Sequence, residues 1–122
     1  MFDWRDYLEL ATSLGVGAAG GQITIRGSEA TDRSAVSRAY YAAYCHARNY
    51  ASQRLGFVAS GGPRDHGRLR AHFQNLHMKS VADSLNMLRQ RRNLCDYDDV
   101  VPNLPGVLAR SLQEAESVIR RL

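Results

Sequence analysis

Val36-Ser37-Arg38-Ala39-Tyr40-Tyr41-Ala42-Ala43-Tyr44-Cys45-His46-Ala47-Arg48-Asn49-Tyr50-Ala51 decides the fold. On a helix turning about 100° per residue, Val36, Tyr40, Ala43, Ala47 and Tyr50 to Ala51 make one long stripe. Ser37, Tyr41, Tyr44 to Cys45 and Arg48 make a second stripe beside it. A helix with two usable faces needs neighbours on both, so this segment, taken from Glu29 to Leu55, is expected at the centre. Four further helical patterns surround it. Phe2 to Leu14 places Tyr7, Leu10, Ala11 and Leu14 on one face; Asp65 to Leu76 is opened by Gly61-Gly62-Pro63 with Asp65 as its cap. Ser80 to Asp96 follows, then Asn103 to Leu122 with Leu104, Leu108, Leu112, Ala115, Ile119 and Leu122 in register. No strand pair can be read. Short connections imply one all-α domain spanning 1–122, an antiparallel up-and-down bundle of four to five helices.

Gly15 to Ser28 breaks the pattern with five glycines and a short β-prone run, Gln22-Ile23-Thr24-Ile25-Arg26. Gly15, Gly17 and Gly20 spell G-x-G-x-x-G. That motif cradles a pyrophosphate only between a strand and a helix N-terminus, and here it follows an amphipathic helix. A Gly-rich loop at about 15–28 is therefore expected, with Gln22 to Arg26 free to pair with the same segment of a second subunit.

Composition is that of an ordinary globular protein, 44% hydrophobic and 23% charged. No apolar run approaches the roughly 18 residues of a membrane span, and Met1-Phe2-Asp3-Trp4-Arg5-Asp6 has no signal-peptide pattern, so a cytoplasmic location without membrane contact is the expectation. Cys45 and Cys95 fall inside helical patterns without C-x-x-C spacing and read as buried free thiols. The net charge of +4 is unevenly spread. Residues 46–92 hold nine Arg or Lys against only Asp65 and Asp83, and fifteen of the sixteen cations are Arg. The planar guanidinium fork suits phosphate better than a lysine does, so the block points to an anionic partner.

Within that block Val81, Leu85, Leu88, Arg92 and Cys95 follow one another at i+4, i+3, i+4 and i+3, which puts Arg92 on an apolar seam. Burying an unpaired guanidinium costs several kcal/mol, so a partner or a wet cleft must face it. Asp96, one turn on, is the nearest candidate. Asp96, Asp98 and Asp99 crowd a helix C-terminus, where the macrodipole disfavours them, and pairing with arginines is the expected reason. The four histidines form no i, i+4 pair and have no cysteine at ligand spacing, so neither a metal nor another cofactor is expected. His66 reads as a helix-start contact, and His46 as lying on the flank of its helix or in a helix-helix groove.

Ser37-Arg38-Ala39-Tyr40-Tyr41-Ala42-Ala43-Tyr44, then His66-Gly67, then Arg92-Asn93-Leu94-Cys95-Asp96-Tyr97-Asp98 together resemble the HEPN family, the higher-eukaryote and prokaryote nucleotide-binding domains. The similarity covers roughly Glu29 to Asp99. It implies an all-helical bundle, a homodimer, and membership of toxin-antitoxin or defence systems that act on RNA or nucleotides, beside a nucleotidyltransferase or other antitoxin partner. Active members are metal-independent endoribonucleases with an Arg, a polar residue and a later His. Arg92 and Asn93 match the first two, and Tyr97 stands where the histidine is expected.

A phenol with pKa near 10 is a poor base at neutral pH, so Tyr97 weakens the catalytic expectation. The resemblance then favours a binding dimer, non-catalytic or weakly active, with an endoribonuclease using Arg92 at a dimer cleft as the alternative. For catalysis the candidates are Arg92, Asn93 and Tyr97, with His66 or His46 as substitute bases. Arg89, Arg91, Arg68 and Arg70 are the candidates for nucleic-acid contact, and Asp96, Tyr40 and Tyr41 for structural pairing. Tyr97 as an acceptor of nucleotidyl transfer is a third reading.

Overall fold

A computed structural model describes residues 2–19 and 25–122, and within them the chain is an all-α bundle of five helices. In order they are α1 (Trp4–Ala19), α2 (Ile25–Arg54), α3 (Asp65–Asn75), α4 (Lys79–Tyr97) and α5 (Leu104–Arg121). No described helix is long and apolar enough to cross a membrane. Directions follow from which ends meet. Trp4 lies with His46, Tyr50 and Arg54, so α1 runs against α2. Arg33 near the start of α2 meets the last residues of α4, and Arg121 at the end of α5 meets Ser80 and Ser84 near the start of α4. Thus α4 is antiparallel to both α2 and α5.

The segment expected as a glycine loop is helical at both ends, because α1 continues through Ala19 and α2 already starts at Ile25. A glycine lowers helix stability by only about 1 kcal/mol, and Ala18 and Ala19 are good helix formers, so Gly15 and Gly17 do not stop α1. Gly20 and most of the β-prone run Gln22 to Arg26 lie outside the described residues.

The central position of α2 has a packing cause. Ala35, Ala39, Ala42, Ala43, Ala47 and Ala51 are all fully buried, and their small side chains let neighbouring helices approach from several sides. Tyr40, Tyr44 and Cys45 join Leu69, Phe73, Val81, Leu85, Leu88, Ala115 and Val118 in the main core. A smaller cluster at the other end joins Ala35 and Val36 to Cys95, Leu104, Val107 and Leu108. Both cysteines are free and buried. In α5 the stripe is rotated from the expected register: Val107, Ser111 and Val118 are buried alongside Leu104, Leu108 and Ala115. Ser111 can sit there because its hydroxyl donates to the Val107 carbonyl at 2.8 Å.

Helix ends set up the site. After α2, Gly56 adopts φ 72°, and the Phe57 N–H reaches back to the Ala51 carbonyl at 3.1 Å, closing the helix with a Schellman-type turn. The chain then returns through residues 57–64 to α3. Asp65 does not cap α3 as expected, since its carboxylate points backwards. It accepts from the Ser60 N–H (3.0 Å), the Ser60 hydroxyl (2.7 Å) and the Gly61 N–H (2.9 Å), and pairs with Arg68 at 2.6 Å. Buried Asp65 therefore ties the incoming loop to the first turn of α3.

The acidic end of α4 is satisfied differently from the expectation. Arg33 donates to the main-chain carbonyls of Cys95 (2.9 Å), Asp98 (2.6 Å) and Asp99 (2.9 Å), not to the carboxylates of Asp98 and Asp99. A guanidinium on the last carbonyls offsets the negative end of the macrodipole and fixes where α4 stops.

Candidate functional site

Three helices converge on a cleft of about 420 Å³. α2 contributes Tyr40 and Tyr41; the loop and α3 contribute Pro63, His66, Gly67 and Arg70; α4 contributes Arg89, Arg92 and Asn93. The spacings are helical: His66 and Arg70 are i, i+4, and Arg89, Arg92 and Asn93 are i, i+3, i+4, so each helix turns one polar face to the cleft. The opposite faces of the same helices are anchored by Leu69 and Phe73 and by Leu85 and Leu88, all deeply buried. No Asp or Glu lines the cleft.

Arg92 is held by four neighbours. Its Nε lies 2.8 Å from Asp96 Oδ2 as an ion pair, although the N–H does not point along a hydrogen-bond direction. Nη1 donates to Asn93 Oδ1 at 3.0 Å, and the guanidinium carbon stands 5.1 Å from the Tyr41 ring and 5.8 Å from the Tyr97 ring. The burial problem raised by its place on the seam is thus met by a carboxylate, an amide and two aromatic faces. Tyr97 itself is 72% exposed and does not line the cleft.

His66 enters from the first turn of α3. Its ring stacks on Tyr44 with centroids 4.0 Å apart and planes 11° off parallel, and its Nδ1 is hydrogen-bonded to the Tyr40 hydroxyl. Burial lowers its pKa, and the charges of Arg92, Arg70 and Arg89 lower it further against a smaller opposing pull from Asp65. The imidazole is therefore neutral at pH 7. Burial pushes the Tyr40 phenol well above its ordinary range, so it remains protonated and can donate or accept.

The remaining candidates separate cleanly. Arg70 and Arg89 line the cleft. Arg68 lies outside it, paired with Asp65, donating to the Val58 carbonyl at 3.0 Å and lying over the Phe57 ring. Arg91 points to the other side of α4 and pairs with Glu114 of α5 at 2.7 Å. His46 lines a separate cleft with Trp4, Tyr50 and Arg54, where burial is the main cause of its lowered pKa. Within the chain it therefore lies apart from Arg92. Among the described residues no group of three His, Cys, Asp or Glu side chains is placed to hold a metal.

Two structural partners escaped the sequence reading. Tyr44 supports the His66 ring, and Arg33 closes α4. The 22-residue gap between Tyr44 and His66, and the gap of more than 60 between Arg33 and Cys95, leave no local signal. The helical spacing of His66 with Arg70, and of Arg89 with Arg92, was the available clue to the cleft. Compared with known proteins, the chain matches no family model, no curated protein and no solved structure.

Proposed function

We propose that the chain is a HEPN-type RNA-binding protein of a toxin-antitoxin or defence system, and that the cleft between α2, α3 and α4 receives the phosphate backbone. The observation that carries this reading is the convergence of Arg70, Arg89 and Arg92 with a neutral His66 in one cleft that no carboxylate lines. Guanidinium forks bind phosphate oxygens in pairs, and Tyr41 and Asn93 add a ring face and an amide for a neighbouring sugar or base. The basic block at 46–92 and the Arg92-Asn93 match to the HEPN pattern point the same way. A homodimer and a nucleotidyltransferase or other antitoxin partner belong to this reading through the resemblance.

Fluorescence anisotropy with a short single-stranded RNA in EDTA tests it. Binding should weaken steeply with salt, and should fall at least about tenfold in Arg89→Gln and Arg70→Gln. Arg110→Gln, on the exposed side of α5, should leave it unchanged. Equal affinity in all four proteins would remove the cleft from the binding surface. Light scattering tests the dimer against a 13.6 kDa monomer.

The presence of His66 beside Arg92 favours a second reading, metal-independent endoribonuclease, because it supplies the base that Tyr97 does not. With Nδ1–H donating to Tyr40 Oη, the Nε2 lone pair can accept the ribose 2′-OH proton. The 2′-oxygen then bonds to phosphorus and the bond to the 5′-oxygen breaks, that oxygen leaving as a hydroxyl with the proton His66 took up; a 2′,3′-cyclic phosphate remains, and Arg92 stabilises the added negative charge on the way. In the other tautomer Tyr40 donates to Nδ1, and Nε2–H donates to a phosphate oxygen, which is binding without catalysis. Cleavage in EDTA with cyclic phosphate ends, lost in His66→Ala, identifies the first tautomer's chemistry. Its rate should stop climbing with pH before the ordinary histidine range is reached, as the lowered histidine pKa requires. Intact RNA with retained binding leaves the first reading alone.

A further inference from the structure

Of the three arginines in the cleft, only Arg92 has its charge matched. Asp96 neutralises it, and Asn93, Tyr41 and Tyr97 occupy its surroundings. Arg89 is half-buried, with its Nε shut off from solvent and without an acceptor. Arg70 is half-buried beside it, has no carboxylate partner among the described residues, and feels the charge of Arg89. His66 adds no charge because it is neutral. The cleft thus presents two uncompensated positive charges on adjacent helices, α3 and α4, with the His66 imidazole in the same cleft. A fold that pairs Arg33, Arg68, Arg91 and Arg92 with acceptors leaves these two without any among the described residues.

We propose that Arg70 and Arg89 form a subsite for a terminal phosphomonoester, the phosphorylated end of an RNA strand or a free mononucleotide. The inference rests on the RNA-binding reading and narrows it from backbone to strand end. Charge and atom count decide between the two. An internal phosphodiester carries one charge and two non-bridging oxygens, which leaves one of two guanidiniums unmatched in a partly dry cleft. A monoester carries close to two charges at pH 7 and three strong acceptor oxygens, enough for both forks at once. With Tyr40 donating to Nδ1, the His66 Nε2–H can join them as a neutral donor.

The test is anisotropy or calorimetry at pH 7.5 in EDTA, using one RNA sequence with a 5′-phosphate, a 3′-phosphate or hydroxyl ends, and adenosine 5′- and 3′-monophosphate alone. Wild type should bind one phosphate-ended strand about tenfold more tightly than the hydroxyl-ended one. Arg70→Gln and Arg89→Gln should erase that preference while retaining residual binding of the hydroxyl-ended strand. Arg89→Lys, which keeps the charge but loses the fork, should retain part of it and guards against misfolding of the glutamine variants, as do their melting curves. The strand arms tell a 5′ from a 3′ end, and the mononucleotide arms tell a free nucleotide from a strand. Equal binding of all strands by wild type, or a tenfold preference surviving both glutamine variants, overturns the subsite and leaves RNA binding standing. Mononucleotide binding that depends on Arg89, with no strand bound, supports the subsite and overturns the RNA reading. No binding of any probe overturns both.

Discussion

The two sides of α4 carry arginines three residues apart or fewer and use them in opposite ways. Toward α5, Arg91 meets Glu114 at 2.7 Å, and at the helix end Arg33 covers three carbonyls. Toward α3, Arg89 meets Arg70, an arginine of its own sign, and no acid among the described residues. Partnered cations hold helices together; unpartnered ones in a cleft cost stability. The difference teaches that, in an arginine-rich chain, the informative quantity is which guanidiniums lack an acceptor, since their number alone says little.

That contrast can be broken by substitution. The largest loss of stability is expected in Asp65→Ala, which cuts the loop carrying Pro63 from the start of α3 and releases His66; a melting curve should show the biggest drop of the series. The acid limb sharpens the point. Hydrogen bonds from Ser60 and Gly61, with Arg68 beside them, hold the Asp65 carboxyl at about 2, below the roughly 4 of an unfolded chain. Its contribution is therefore fully present above pH 4 and is lost as pH falls toward 2, so urea midpoints of wild type should decline in that window more than those of Asp65→Asn.

Arg33→Met comes next. It leaves three carbonyls at the end of α4 without their charged donor, and a loss of about 2–3 kcal/mol in denaturant unfolding is expected. Glu114→Gln, which strands Arg91 at a partly buried position, should cost about 1–2 kcal/mol, and a double-mutant cycle with Arg91→Met should return most of it. The smallest effect has the opposite sign. Arg89→Met relieves repulsion with Arg70 and should raise stability by about 0.5–1 kcal/mol while RNA affinity falls. A destabilised Arg89→Met would mean that the guanidinium holds the fold, and the contrast between the two sides would collapse.

Much of the bundle was readable from periodicity. The core positions of α2 and α4, the two buried thiols and the stop of α2 before Gly56 follow from apolar spacing and helix-end chemistry. The extent of α1 and α2 around the glycines was not, because glycine spacing suggested a break where a modest propensity cost is tolerated. Nor was the sorting of candidates. Arg68, Arg70, Arg91 and Arg92 look alike as sequence, yet the charged groups they meet, Asp65, Arg89, Glu114 and Asp96, lie 3, 19, 23 and 4 residues away. Only the separations within one helical turn could be anticipated.

By itself the sequence determined five helical segments, the central place of α2, the arginine on the apolar seam and the excess of positive charge, because each depends on spacing along one helix or on composition. Tertiary structure alone decided that His66 joins Arg92 while His46 does not, that Arg91 is tied to α5, and that Arg70 and Arg89 face each other without an acid. Those outcomes depend on how helices cross, and the electrostatic state of a side chain is set by neighbours that only the packing supplies.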